Sequence, residues 1–153
     1  MIRPWFFVVL AACGGAGGGS KAVTIVQQAN PNPFKETGCK VSVGDVAYDA
    51  SVAASDEDKK AFSFALKQEL VVARSGLIQD GPASGPNTFL LRPTLQTFVP
   101  GSSSDMQVDV TDATGAQVLE QVRVSAKAAS LRDASSPFGK PLGRYLKSRF
   151  CAR

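Results

Sequence analysis

The hydrophobic pattern of this chain changes period several times, and each change predicts an element. Residues 39–48 alternate, with Val41 and Val43 on one side, until the phase slips at Gly44 and Val46 and Tyr48 take over. A glycine at a phase slip predicts a strand carrying a bulge. Residues 55–75 switch to helical spacing, with Phe62, Leu66, Leu70 and Ala73 along one face. Ser55 is placed to cap this helix and Asp58, three residues on, completes an approximate capping box; Asp56 and Glu57 suit the positive end, and Gly76 stops it. Phe64 and Val71 break the pattern together on the opposite face, and Glu69 falls at the edge of the apolar stripe. Either the chain's lead-in covers Phe64 and Val71, or the pair forms a docking patch.

Residues 88–99 predict a strand with Phe89, Leu91, Leu95 and Val99 on one side, and Pro93 inside it argues for an edge position or a bulge. Met106, Val108 and Val110 alternate strictly with polar neighbours, the signature of a half-buried strand. Asp112-Ala113-Thr114-Gly115 supplies a hairpin turn, and residues 116–128 return with Val118, Val122, Val124, Ala126 and Ala128 inward. Glu120 lands on that inward face, so a bulge that re-aims it is expected rather than a buried carboxylate. Residues 131–141 read as a loop, after which Pro141 opens a final helix that turns Leu142, Tyr145, Leu146 and Phe150 to the sheet. The order β-α-β-β-β-α predicts an α+β fold, a mostly antiparallel sheet of about four strands with two helices on one face.

Upstream of this pattern the chain changes character. Arg3 precedes the apolar run Trp5-Phe6-Phe7-Val8-Val9-Leu10, and Leu10-Ala11-Ala12-Cys13 closes it before a stretch of glycines ending at Ser20. The run is far short of the ~20 residues that span a bilayer. A positive start, a short apolar run and small residues before a cut site make a secretory signal instead. Leu10-Ala11-Ala12-Cys13 resembles the lipobox of bacterial lipoproteins. The resemblance implies cleavage before Cys13, covalent lipid on Cys13 and attachment to a membrane. Gly14 follows the cysteine where an Asp would retain an enteric lipoprotein in the inner membrane, so the resemblance points to the outer membrane with the domain facing the periplasm. The expected division is a signal peptide at 1–12, a lipidated, Gly/Ser- and Pro-rich tether at 13–38, and a single α+β domain at 39–153. Within the tether, Val23 to Val26 could add an edge strand, and Phe34 is expected to plug the lead-in onto the domain.

Charge and cysteine refine this picture. The formal charge of +4 conceals an asymmetry, since Lys140, Arg144, Lys147, Arg149 and Arg153 crowd the C-terminal end without an acidic neighbour. Lys140, Arg144, Lys147 and Arg149 are therefore candidate contacts for an anionic envelope component or an acidic partner. Nucleic acid is not expected for an exported chain without an aromatic platform beside its cations. With Cys13 assigned to lipid, Cys39 and Cys151 form a candidate disulfide in an oxidising compartment. Helical geometry opposes it, because an unbroken final helix puts Cys151 opposite Leu142; the helix must end first, or the Cys39 segment must cross its outer side.

Recognisable chemistry is sparse. There is no histidine, which removes the commonest general base and metal ligand. Asp109, Asp112 and Gly115 glance at a calcium loop but lack its spaced oxygens and terminal Glu, so the hairpin reading is preferred. Nothing in the sequence brings Arg92, Glu69 and Glu120 together as an acid-base site, and no catalytic residue, metal or cofactor beyond the lipid is expected. The later chain adds a weaker resemblance. Phe62, Leu66 and Leu70 before Gly76-Leu77-Ile78, the strand 106–111, the turn 112–115 and Gly143-Arg144-Tyr145-Leu146 look like uncharacterised bacterial lipoprotein domains. That likeness implies a periplasmic assembly or regulatory partner. The expected function is a non-enzymatic binding module; the alternatives are a periplasmic enzyme of unrecognised type acting on envelope polymers through carboxylates and a structural spacer.

Overall fold

The computed structural model describes residues 22–29, 31–35, 38–74, 76–79 and 81–150. The lipobox and Cys151 lie outside them.

The strands form where alternation demands them. β1 (Val23–Gln27), β2 (Lys40–Val43), β3 (Ala47–Tyr48), β4 (Thr88–Leu95), β5 (Ser103–Asp112) and β6 (Val118–Lys127) join one mixed sheet in the order β1-β6-β5-β4-β2, with β3 also on β4. The α+β class is as expected, but the sheet has six strands and two parallel pairings. Helix α1 (Asp56–Ala73) separates β3 from β4, so β2 and β3 both run parallel to β4; a long crossover makes parallel pairing possible. The other pairings are antiparallel. Val41, Phe89, Leu91, Met106, Val108, Val110, Val122 and Val124 bury one face, on which α1 and α2 (Ser135–Arg149) supply Phe62, Leu66, Leu70, Phe138, Leu142 and Leu146.

The structure departs from the sequence expectations at several points. The folded unit begins before residue 39 rather than at it, since the edge strand expected at Val23 to Val26 forms as β1 on β6 and Phe34, as expected, is fully buried. The strand at β4 stops at Leu95, leaving Val99 half exposed rather than inward. Pro93 marks neither an edge strand nor a bulge, since β4 is flanked by β5 and by β2 with β3. Leu91 and Leu95 aim their carbonyls at Gly44 and Asp49, and Pro93 shares their parity. Its missing N–H therefore faces the gap between β2 and β3, where no ladder bond is lost. The bulge expected near Glu120 exists, but it re-aims a different side chain. Val110 pairs with Glu120 and Thr111 with Val118, so the extra residue turns Val118 outward and keeps Glu120 in the core.

Helix α1 begins as its cap predicts, with the Asp58 N–H donating to Ser55 Oγ at 3.1 Å. Helix α2 begins at Ser135, six residues before the expected start, and Pro141 lies inside it. The residues read as a loop carry the same apolar stripe: Phe138 is buried one turn before Leu142 and meets Phe62 edge-on at 6.0 Å. Packing of that ring outweighs the single backbone bond that Pro141 removes. The two helices approach closely because Gly139 and Gly143 face α1. A Cβ at Gly139 would sit 2.5 Å from Glu69 Cγ and 3.0 Å from its Cβ, and one at Gly143 would sit 3.0 Å from Ala73 Cβ. Gly139→Val should therefore destabilise the fold by about 1–3 kcal/mol through overpacking. Urea denaturation checks this, and a variant of unchanged stability would show that the helices can separate freely.

Candidate functional site

The sequence singles out the C-terminal helix, and the structure divides its cations into two groups. Lys140, Arg144 and Lys147 recur at i, i+4 and i+7, all are exposed, and α2 carries no acidic residue. None of the three makes a salt bridge among the described residues. Arg149 must be removed from this set. Its side chain is only 12 % exposed and ion-pairs with Glu120, which is fully buried. Arg149 Nε donates to Glu120 Oε1 at 2.9 Å, Nη2 donates to Oε2, and the Tyr145 hydroxyl donates to Oε1 at 2.6 Å. The guanidinium also lies 5.8 Å from the centroid of Phe34. The Glu120 hydrogen bonds hold Arg149 above the usual guanidinium range. Burial, and then the carboxylate, push the Tyr145 hydroxyl well above an ordinary phenol.

Around this ion pair the rings close. Phe34 stacks on Phe150 with centroids 4.3 Å apart and meets Phe89 edge-on at 4.9 Å. Helix α2 ends at Arg149, and Phe150 is extended at φ −103° and ψ 138°. The condition that geometry sets for a bridge to Cys151, a helix that stops first, is thus met by the described residues. Cys39 is buried and disulfide-bonded. Its sulfur lies 3.7 Å from the carbonyl oxygen of Phe34. Its partner lies outside the described residues.

Two shallow hollows flank the helices. One, of about 380 Å³, runs between the edge strand β1 and α2, with Val23, Ile25, Pro141, Arg144 and Ser148 in its walls. The other, of about 310 Å³, lies between α1 and β3 and is lined by Asp45, Tyr48, Lys59, Lys60, Phe64 and Lys67. Within it Lys67 ion-pairs with Asp45 at 2.6 Å, and Lys59 sits 5.4 Å from the Tyr48 ring centroid. Burial pushes the Tyr48 phenol up to about 12. Neither hollow gathers two carboxylates.

The two residues expected to form a docking patch differ in exposure. Phe64 is 66 % exposed and no described part of the lead-in covers it, whereas Val71 is half-buried. Val72, 81 % exposed, is the residue that sequence reasoning missed. Phe64, Val71 and Val72 stand at i, i+7 and i+8, so a helical wheel would have found it. The residues considered for acid-base work sit apart. Arg92 reaches the Gly115 carbonyl on the polar face of the sheet, Glu69 lies against Gly139, and Glu120 is bound within the core. Asp109 accepts from Gln121 and Gln107 side chains, and Asp112 accepts from Thr114 and the Ala116 N–H to close its turn. Among the described residues no cluster of metal-ligating side chains occurs.

No family model and no curated protein matches the chain. Its fold is that of a small α+β domain, and solved structures share it. The PelC dodecamer from Paraburkholderia phytofirmans is similar at a TM-score of 0.53 and 14 % identity, over 79 % of this chain and 95 % of that one. A point variant of that dodecamer gives the same values. A hypothetical protein from Chlamydia trachomatis is similar at a TM-score of 0.43 and 16 % identity, over 73 % and 95 %. At such identities the likeness concerns the fold alone.

Breaking the buried ion pair from one side should be costly. Arg149→Met leaves a buried, uncompensated carboxylate and is expected to lose about 3–5 kcal/mol. Adding Glu120→Gln removes that charge while keeping an acceptor for Tyr145, and should recover most of the loss. Urea midpoints at constant m-value measure both. A double variant no more stable than Arg149→Met would mean that the charge is not what the cluster neutralises.

Proposed function

We propose that this chain is a lipid-anchored protein of the outer membrane whose domain is a non-enzymatic assembly module in the periplasm. The observation that carries the binding role is the outer face of α1, where Phe64 and Val72 stand uncovered beside Val71. Apolar side chains grouped on one exposed helix face mark an interaction surface. The occupant in this reading is a second copy of the chain. The fold neighbour named as a dodecamer supports self-association. The anchor rests on the lipobox resemblance at Cys13. The disulfide of Cys39 is assigned to Cys151, because Phe150 stacks on Phe34, whose carbonyl lies against the Cys39 sulfur.

Two measurements test these assignments. Intact mass of the membrane-extracted protein should report a mature chain starting at an acylated Cys13 with one disulfide. Cys13→Ser should leave the signal uncleaved and abolish the lipid adduct; a variant that matures to the same mass would end the anchor reading. Phe64→Ser with Val72→Ser should convert the oligomer seen by light scattering to monomer. These exposed substitutions are expected to change stability by less than about 0.5 kcal/mol. A parent chain that is already monomeric, or an oligomer indifferent to both substitutions, would refute the assembly surface.

A further inference from the structure

The described chain begins at Ala22, and Ala22 lines the same hollow as Arg144. We propose that this hollow, with the stripe Lys140, Arg144 and Lys147 beside it, is a docking surface for anionic lipid headgroups. The proposal rests on the reading of Cys13 as the anchor and adds to it an orientation for the domain.

Three observations carry it. First, only eight residues separate Cys13 from Ala22, six of them between Gly14 and Gly19. The chain from Cys13 to Ala22 can span at most about 30–32 Å. In the anchored protein Ala22, and with it one wall of the hollow, therefore cannot leave the bilayer surface by more than that distance. Second, the exposed side of α2 flanking the hollow carries cations and no acidic residue, and Arg144 joins that stripe to the hollow. At 100° per residue Lys140, Arg144 and Lys147 fall within about 60° of one another. Arg149 lies about 180° from Lys140, which is why it turns inward to Glu120 and leaves the outer stripe unneutralised. Third, the hollow combines the apolar side chains Val23, Ile25 and Pro141 with the Arg144 guanidinium. A headgroup phosphate suits the planar fork of Arg144, and the glycerol region above it suits the apolar wall.

The same layout sets a distance between the two surfaces assigned to this domain. Lys59, Lys60 and Phe64 line the hollow beside β3, which pairs with β4 towards the opposite side of the sheet from β1. They are not part of the headgroup surface and serve as an internal control.

The test is amine labelling of the protein as isolated from membranes, mixed with vesicles of phosphatidylcholine alone or with phosphatidylglycerol added. Peptide mass spectrometry reads each lysine. Lys140 and Lys147 should be protected several-fold in the anionic vesicles only, and high salt should remove the protection, while the labelling of Lys59 and Lys60 is the same in both vesicles. Each cation near an anionic surface raises binding roughly five-fold. Arg144→Gln should therefore reduce the protection by about that factor. Equal labelling in both vesicles, or equal protection of Lys59 and Lys60, overturns the proposal. Protection that occurs in native envelopes but in neither vesicle assigns the stripe to an acidic protein and also overturns it. Intact mass of the same sample judges the anchor separately. Protection without an acyl adduct keeps the headgroup surface and discards the Cys13 reading; an adduct without protection does the reverse.

Discussion

A carboxylate on the core face of a central strand constrains everything around it. Glu120 pairs with Val110 near the hairpin end of the β5–β6 ladder, next to its bulge, and has no access to water. An isolated charge there would cost far more than a domain of this size can lose. It is tolerated because two donors arrive from the last turns of α2, Tyr145 and Arg149, one helical turn apart. That requirement fixes the rotation of α2 about its axis and its height over β6. Once α2 is set, Gly139 and Gly143 decide how close α1 can come, and the contact of Phe138 with Phe62 fills the crossing. The same guanidinium reaches Phe34, so the lead-in, the final helix and the return strand of the hairpin meet at one point. The disulfide at Cys39 lies beside this junction.

Much of this was legible in the sequence because its signals are local. The cap at Ser55, the apolar spacing of Phe62, Leu66 and Leu70, and the alternation of Met106, Val108 and Val110 each depend on neighbours a few residues away. What failed depended on distant parts of the chain. Pro93 looked like an edge residue, since nothing in residues 88–99 reveals that β2 and β3 leave a gap opposite it. The start of α2 was hidden by Pro137, Gly139 and Pro141, whose poor helix propensity is overridden by burial of Phe138 against α1. A bulge that re-aims Glu120 is the expectation because the partners that let it stay buried lie 25 and 29 positions away.

The candidate site was legible to a different degree at each residue. Phe64 is identified from its phase on α1, whereas Val72, about two turns beyond it and next to Val71, is not. Three of the four basic residues on α2 point to solvent. The fourth was separable on the helical wheel alone, and what hid it was treating a run of like charges as one surface. Composition records that cations cluster, whereas angular position decides which of them a core can recruit.

That separation is what gives α2 two opposed roles. A helix with all of its cations outward would leave Glu120 unpaired, and one with its cations inward would present water with an apolar back. Placing Arg149 half a turn away from Lys140, Arg144 and Lys147 satisfies the core with a single guanidinium. Arginine is the residue suited to that position, because its fork meets both carboxylate oxygens while its face lies against an aromatic ring. Lysine in its place could satisfy the charge but not the two-point geometry that fixes the helix. The outer cations are then free of any structural duty. One of them, Arg144, lines the hollow beside β1 together with Ala22.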